Sequence, residues 1–369
     1  MEQIDIVDNI SKVDFQNQYF NKQKPVVITN GINDWFATKN WSLDYFAKAH
    51  STKKVNVGIS QTKVFSYSKV HEKTKGLMKI QTIDMKDLID NLLNEQSEQK
   101  YYLVHQSVPN DFKELMQDFT IPSWADQNKT YSIHLWVGAK GNTVPLHWDS
   151  SHNFLAQIYG DKILWLFSPD QSNLLYPTYT EAPHNHSGVP NIENPNFDIY
   201  PKFKEAKHCK VTLKEGSVLF IPSGWWHQVR SLSNSVSLNF WWSAKFNECD
   251  LTQVLRYRVS EAFINNKFSE VPTWLDLEEF SDHLETAHYL IKKGLKWPAV
   301  IFASEYAREK LNFFENDQTI SKEKDLAEFE KYLSHLASLA IKEDDTLLDN
   351  YNINEVITRI KDFSMETIA

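Results

Sequence analysis

Two cysteines in 369 residues, Cys209 and Cys249, are too few and too far apart for a disulfide scaffold or a close-spaced zinc site. No apolar run approaches the ~20 residues that span a bilayer. The first residues, Met1-Glu2-Gln3-Ile4-Asp5, show no basic stretch leading into an apolar one, so no secretory signal is expected. Excess positive charge is also lacking: 39 Lys and Arg face 48 Asp and Glu, a net charge of −9. That balance gives no general attraction to nucleic acid or anionic lipid, although a local patch such as Lys202, Lys204 and Lys207 is compatible with it. Internal repeats and low-complexity tracts are missing too. These absences lead us to expect a cytoplasmic globular protein with no membrane partner.

What the chain does have is aromatic side chains, with 12 Trp, 15 Tyr and 22 Phe. Aromatic and β-branched stretches favour sheets and solid cores. The length allows two or three structural units. Residues 1–125 alternate helix-like and strand-like stretches. Ser11 and Ser42 are placed to cap short helices, Lys24-Pro25-Val26-Val27-Ile28 and Val55-Asn56-Val57 read as strands, and Asp84 opens an amphipathic helix with Leu88, Ile89, Leu92 and Leu93. A strand at Tyr101-Tyr102-Leu103-Val104 follows. Across 126–245 short strand-like segments dominate, punctuated by Gly160-Asp161 and Pro222-Ser223-Gly224, a pattern that predicts a sandwich or barrel. Residues 176–206, rich in Pro, Asn and His, read as a surface excursion, with His184 and His186 in a solvated loop rather than a second metal pair. Residues 246–369 turn helical, and their apolar faces need a partner.

The strongest chemical pattern is Pro145-Leu146-His147-Trp148-Asp149, followed by Trp225-Trp226-His227. Residues i and i+2 of a strand share a face, so His147 and Asp149 project together, and a later antiparallel strand can deliver His227. Two imidazoles and a carboxylate occupying one face of an octahedron, with the other positions open, suit non-haem Fe(II). An H-x-D tripeptide alone also fits a core histidine beside a surface aspartate. Its context, a turn-strand-turn ending on His227, favours the metal reading. Lys162 follows a Gly-Asp turn one strand later, and spacing alone leaves it equally a surface lysine. Trp136 and Trp241 fit a pocket wall or the core, while His134 and His152 read as ordinary.

Several stretches together resemble a known family. They are Pro145 to Asp149, Asn153 to Lys162, Leu164-Phe167-Ser168-Pro169-Asp170, Gly216 to His227 and Ser237-Leu238-Asn239-Phe240-Trp241, with Lys24 to Ile28, Trp35 and Trp41 upstream. The chain is similar over about residues 20–245 to the JmjC/cupin-type 2-oxoglutarate oxygenases. Within that group it resembles the asparaginyl hydroxylase of hypoxia-inducible factor and the tRNA wybutosine-type hydroxylases. The resemblance implies a mainly β double-stranded β-helix (jelly roll) with a flanking α/β N-terminal segment and an α-helical C-terminal extension. It implies Fe(II), 2-oxoglutarate and O₂, with iron on His147, Asp149 and His227. Lys162 and Tyr102 would meet the distal carboxylate of the co-substrate, and Asn153, Asn239 and Trp241 would line its pocket. The family's pocket threonine falls at Val144, a departure from the pattern, with Thr143 next to it. A C–H bond of a protein side chain is the first substrate expectation, and tRNA is the alternative. A non-catalytic cupin binding module is the rival class, and homodimerisation through the C-terminal helices is expected.

Overall fold

The computed structural model of the chain describes residues 3–126, 128–177 and 185–243. The helices expected after residue 245, the dimer contact assigned to them, and His184 lie outside the described residues. Thirteen strands are found among the described residues. The first five are β1 (Asp5–Asp8), β2 (Val26–Thr29), β3 (Lys54–Ser60), β4 (Lys79–Asp84) and β5 (Lys100–Ser107). Then come β6 (Ser132–Gly138), β7 (Thr143–Trp148), β8 (Ser151–Tyr159) and β9 (Lys162–Phe167). The last four are β10 (Cys209–Leu213), β11 (Val218–Ile221), β12 (Trp226–Ser231) and β13 (Ser235–Ser243).

These strands form a nine-stranded sheet, in the order β1-β2-β11-β8-β13-β6-β5-β3-β4, and a four-stranded sheet, β10-β9-β12-β7. All pairings are antiparallel except β1 with β2. The fold is the expected mainly β double-stranded β-helix, with strands from the first 125 residues continuing the larger sheet.

The central strands are buried on both faces, which explains their near-continuous apolar runs. Along β8, Phe154, Ala156 and Ile158 pack against Phe15, Trp35 and the N-terminal helices. Leu155 points the other way, onto Leu164, Leu166 and Leu219. The same two-residue period divides β13. Val236, Leu238, Phe240 and Trp242 enter the helix-facing core, so Ser237, Asn239 and Trp241 face the barrel interior.

The short helices begin where the sequence places their caps. Ser11 accepts a hydrogen bond from the Asp14 amide and Ser42 one from the Tyr45 amide, each 3.1 Å long, satisfying donors that a helix start leaves free. The helix Met85–Leu93 buries Met85, Leu88, Ile89 and Leu92, whereas Leu93 is exposed. Among the described residues no helix is long and apolar enough to cross a membrane.

Gly160 turns β8 into β9 with φ +69, and a Cβ there would overlap the Asn234 carbonyl oxygen and come within 2.5 Å of Ser233 Oγ. Backbone and neighbour together demand glycine. Gly160→Ala should therefore lower stability by about 1–3 kcal/mol in urea unfolding. An unchanged denaturation midpoint would show that the turn relaxes freely.

Candidate metal centre

His147 and His227 are direct cross-strand partners on β7 and β12, with ring centroids 4.3 Å apart. Asp149 lies just past the end of β7. The turn between β11 and β12 is fastened to it: the Gly224 amide donates to the Asp149 carbonyl oxygen at 2.8 Å, Ser223 Oγ donates to the Ser150 carbonyl oxygen and the Ser223 amide to His152 Nδ1. The loop carrying Asp149 and the turn leading to His227 are thus set against each other by one main-chain hydrogen bond and two that involve side chains.

The donor atoms converge. One ligating atom from each of His147, Asp149 and His227 lies within 4.8 Å of the others. His147 Nε2 is 3.9 Å from Asp149 Oδ1, and His227 Nε2 is 3.8 Å from Asp149 Oδ2. The other ring nitrogens face carbonyl oxygens, His147 Nδ1 that of Pro145 at 2.8 Å and His227 Nδ1 that of Trp225 at 3.0 Å. A carbonyl only accepts, so Nδ1 carries the proton and Nε2 presents its lone pair inward. Burial and the neighbouring His227 lower the His147 pKa to about 4, against a smaller opposing pull from Asp149, so this imidazole is neutral at neutral pH. Trp241 Nε1 donates to Asp149 Oδ2 at 3.1 Å and orients the carboxylate, as a hydrogen-bonding partner behind a metal ligand does. Two imidazoles and one carboxylate, oriented from behind and open in front, suit Fe(II).

A second polar cluster lies deeper in the barrel. Lys162, at the start of β9, is 2 % exposed. Its Nζ donates to Ser237 Oγ at 2.6 Å and, at the 3.5 Å limit, to Tyr102 Oη. Among the described residues no carboxylate pairs with it, and burial alone lowers its pKa to about 7. Burial also raises the Tyr102 phenol. Asn239 Nδ2 donates to Asn153 Oδ1 at 2.8 Å. Val144, where the family pattern has a threonine, packs with Phe65, Met78, Tyr102, Val104 and Trp136. The Trp136 indole N–H is buried and has no acceptor among the described residues.

The structure brings together the residues that the sequence singles out, in two groups that share the inner face of β13. Ser237 reaches Lys162, Asn239 reaches Asn153, and Trp241 reaches Asp149. Ser237 was not among the expected site residues, since a serine in a strand carries no signal of its own.

Two further histidines stand near the centre, one of them against expectation. His186 does not sit in a solvated loop: it is 6 % exposed, pairs against β7 and stacks on His147 with centroids 5.5 Å apart, and burial, with a smaller push from the neighbouring His147, lowers its pKa. His105 stands where β5 bulges against β6, with φ +51. Its ring lies 4.7 Å from Trp136, 5.8 Å from His134 and 6.1 Å from Trp241, stacked on the last. It is solvent-exposed, yet desolvation lowers its pKa, with Asp149 and His147 within electrostatic range. Both observations fit a ring in the wall of a concave mouth. A single histidine in a strand gave no sequence signal, and only the bulge turns it toward the centre.

The profile of a cupin-like domain matches residues 12–248. The chain is 33% identical over 233 residues to lysine-specific demethylase 8 of Xenopus tropicalis, covering 62% of this chain and 50% of that protein. It is 32% identical over 246 residues to JmjC domain-containing protein D of Dictyostelium discoideum, covering 61% and 53% respectively. It is 29% identical over 259 residues to tRNA wybutosine-synthesizing protein 5 of Gallus gallus, covering 67% and 79%. The chain spans about half the length of the first two relatives.

Asp149→Ala and His227→Ala should abolish tight binding of a divalent probe such as Co(II), followed by its visible absorption. Trp241→Phe keeps the ring and loses the donor, and should weaken binding about ten-fold. Wild-type affinity in Asp149→Ala would refute the assigned centre.

Proposed function

The chain belongs to the cupin-like domain family, and from that premise we propose that it is an Fe(II)- and 2-oxoglutarate-dependent oxygenase that inserts oxygen into a C–H bond. The observation that carries this reading is the pairing of two sites in one barrel. Three convergent donors leave a metal face open, and a buried ammonium meets no carboxylate among the described residues. A cation taken out of water is costly unless it is paired. A ligand that chelates the metal at one end and carries a carboxylate at the other would satisfy both sites, and 2-oxoglutarate has that form.

When bound, Fe(II) and 2-oxoglutarate supply the activation of O₂ and the oxidation of the substrate. The protein's part is positional. His147 and His227 offer Nε2 because carbonyls hold the proton on Nδ1, and Trp241 fixes the rotation of Asp149. Lys162, Ser237 and Tyr102 would grip the distal carboxylate, with the Asn153–Asn239 pair lining the pocket nearer the metal. Phe65, Met78, Val144 and Trp136 form an apolar wall, which strengthens each charge-assisted bond by keeping water out.

The names of the relatives refer both to lysine demethylation and to tRNA wybutosine synthesis. Oxidation of a C–H bond serves either end. On an N-methyl group it leads to loss of formaldehyde, and on a carbon side chain it leaves an alcohol. The residues of the centre do not choose between these substrates, so the choice falls to the surface around the mouth.

Anaerobic addition of 2-oxoglutarate to the Fe(II)-loaded protein should produce a visible charge-transfer band. A non-catalytic cupin module would give neither that band nor turnover of 2-oxoglutarate to succinate. Lys162→Met should weaken 2-oxoglutarate binding about ten- to hundred-fold, the range for loss of a hydrogen bond to a charged group.

The pH dependence has a definite sign. Burial puts the Lys162 pKa at about 7 in the unliganded pocket, and the carboxylate needs the ammonium form. Below pH about 7 the proton is already present. Above it, binding must take up a proton, so affinity should fall about ten-fold per pH unit. Lys162→Met should flatten that slope in isothermal titration, and an equally steep slope in the variant would assign the proton elsewhere.

A further inference from the structure

Beside the candidate centre, residues 61–79 run from the end of β3 to the first residue of β4 and carry five lysines, Lys63, Lys69, Lys73, Lys75 and Lys79, against one acid, Glu72. All five lysines are exposed. None of them forms an ion pair among the described residues, whereas Lys24, Lys48, Lys53 and Lys54 each meet a carboxylate. In a chain of net charge −9, this is a local concentration of charge opposite in sign to the whole.

The excursion is anchored to the strand that carries His147. The Phe65 amide donates to the Thr143 carbonyl oxygen at 2.9 Å and the Thr143 amide to the Lys63 carbonyl oxygen at 2.7 Å. Phe65 and Met78 are buried beside Tyr102 and Trp136, and His71 is fully buried. With its apolar and imidazole groups turned inward, the lysines remain outside.

One aromatic residue stays outside with them. Tyr67 is 43 % exposed, and its ring lies 5.9 Å from His105. His105 stacks on Trp241, which is hydrogen-bonded to Asp149. A ladder of flat rings therefore leads from the lysine-bearing surface to the candidate metal ligand. Lysines interleaved with exposed rings are the features that hold a single-stranded nucleic acid: ammonium groups neutralise phosphates and rings stack on bases. An acidic peptide would use the lysines but has no need of the rings.

We propose that the 61–79 excursion is the docking surface for a single-stranded RNA segment, with Lys69, Lys73 and Lys75 on phosphates and Tyr67 under a base at the mouth of the centre. This names the substrate class for the oxygenase reading above and rests on it. The local patch also answers the charge objection, because association depends on the field beside the mouth rather than on net charge.

The test uses the full chain and a fluorescein-labelled single-stranded RNA of mixed sequence, with anisotropy measured over a salt series. Each phosphate contact contributes about −0.7 to the slope of log affinity against log salt. Lys69→Gln/Lys73→Gln/Lys75→Gln should therefore make that slope shallower by about 2 and weaken binding at least about ten-fold at low salt. Tyr67→Ala should weaken it about ten-fold with the slope unchanged, since stacking is not ionic. Both variants change exposed residues outside the centre and should retain Co(II) binding and the 2-oxoglutarate charge-transfer band. RNA affinity unaltered in the triple variant, or tighter binding of poly-glutamate than of RNA, would overturn the proposal. RNA binding without any 2-oxoglutarate turnover would instead defeat the oxygenase reading and leave the docking surface standing.

Discussion

The two-residue period of β13 is the constraint on which the centre depends. The face carrying Val236, Leu238, Phe240 and Trp242 is committed to the helix-facing core. The opposite face then has no freedom. Ser237, Asn239 and Trp241 must look into the barrel, where each meets a polar group from another strand: Lys162, Asn153 and Asp149. A one-residue slip of β13 would put three polar side chains into an aromatic core and three apolar ones into the site. The same packing that stabilises the fold therefore sets the spacing between the three convergent donors and the Lys162 ammonium.

Burial gives these groups their chemistry. Desolvation lowers the pKa of both His147 and Lys162, with opposite consequences. For His147 the neutral form is the useful one, since a metal takes the lone pair. For Lys162 burial disfavours the charged form, the form that the proposed carboxylate ligand would need. Under the proposed reading a carboxylate ligand would relieve that state, coupling its binding to protonation. Main-chain bonds protect the arrangement, with the Gly224 amide on the Asp149 carbonyl oxygen making the ligand loop and the turn before His227 one unit.

Much of the centre was legible from the chain. His147, Asp149 and His227 stood out because their spacing has meaning on antiparallel strands, whereas Lys162, which spacing alone left equally a surface lysine, stood out only through the family resemblance. Ser11 and Ser42 announced helix starts through local chemistry that needs no tertiary context. Other features were not legible, for identifiable reasons. β4, with its run of exposed residues, is an edge strand without an alternating pattern. His186 looked solvated because its neighbours are polar, and its burial comes from pairing with β7, more than thirty residues away. His105 depends on a bulge, and Ser237 on a partner 75 residues distant.

By itself the sequence determined a sandwich or barrel of short strands and the three candidate donors, because these follow from strand periodicity, turn chemistry and residue type, while the jelly roll and the place of Lys162 in it came from the family resemblance. Only the tertiary structure decided that Lys162 lacks a carboxylate partner among the described residues, that Trp241 holds Asp149 rather than merely lining a wall, and that a lysine-rich excursion stands beside a ladder of rings leading to the H-x-D pair. Those are facts about which long-range neighbours meet. Local propensity cannot encode them, because they arise only when two sheets close on one another and fix what each buried polar group can reach.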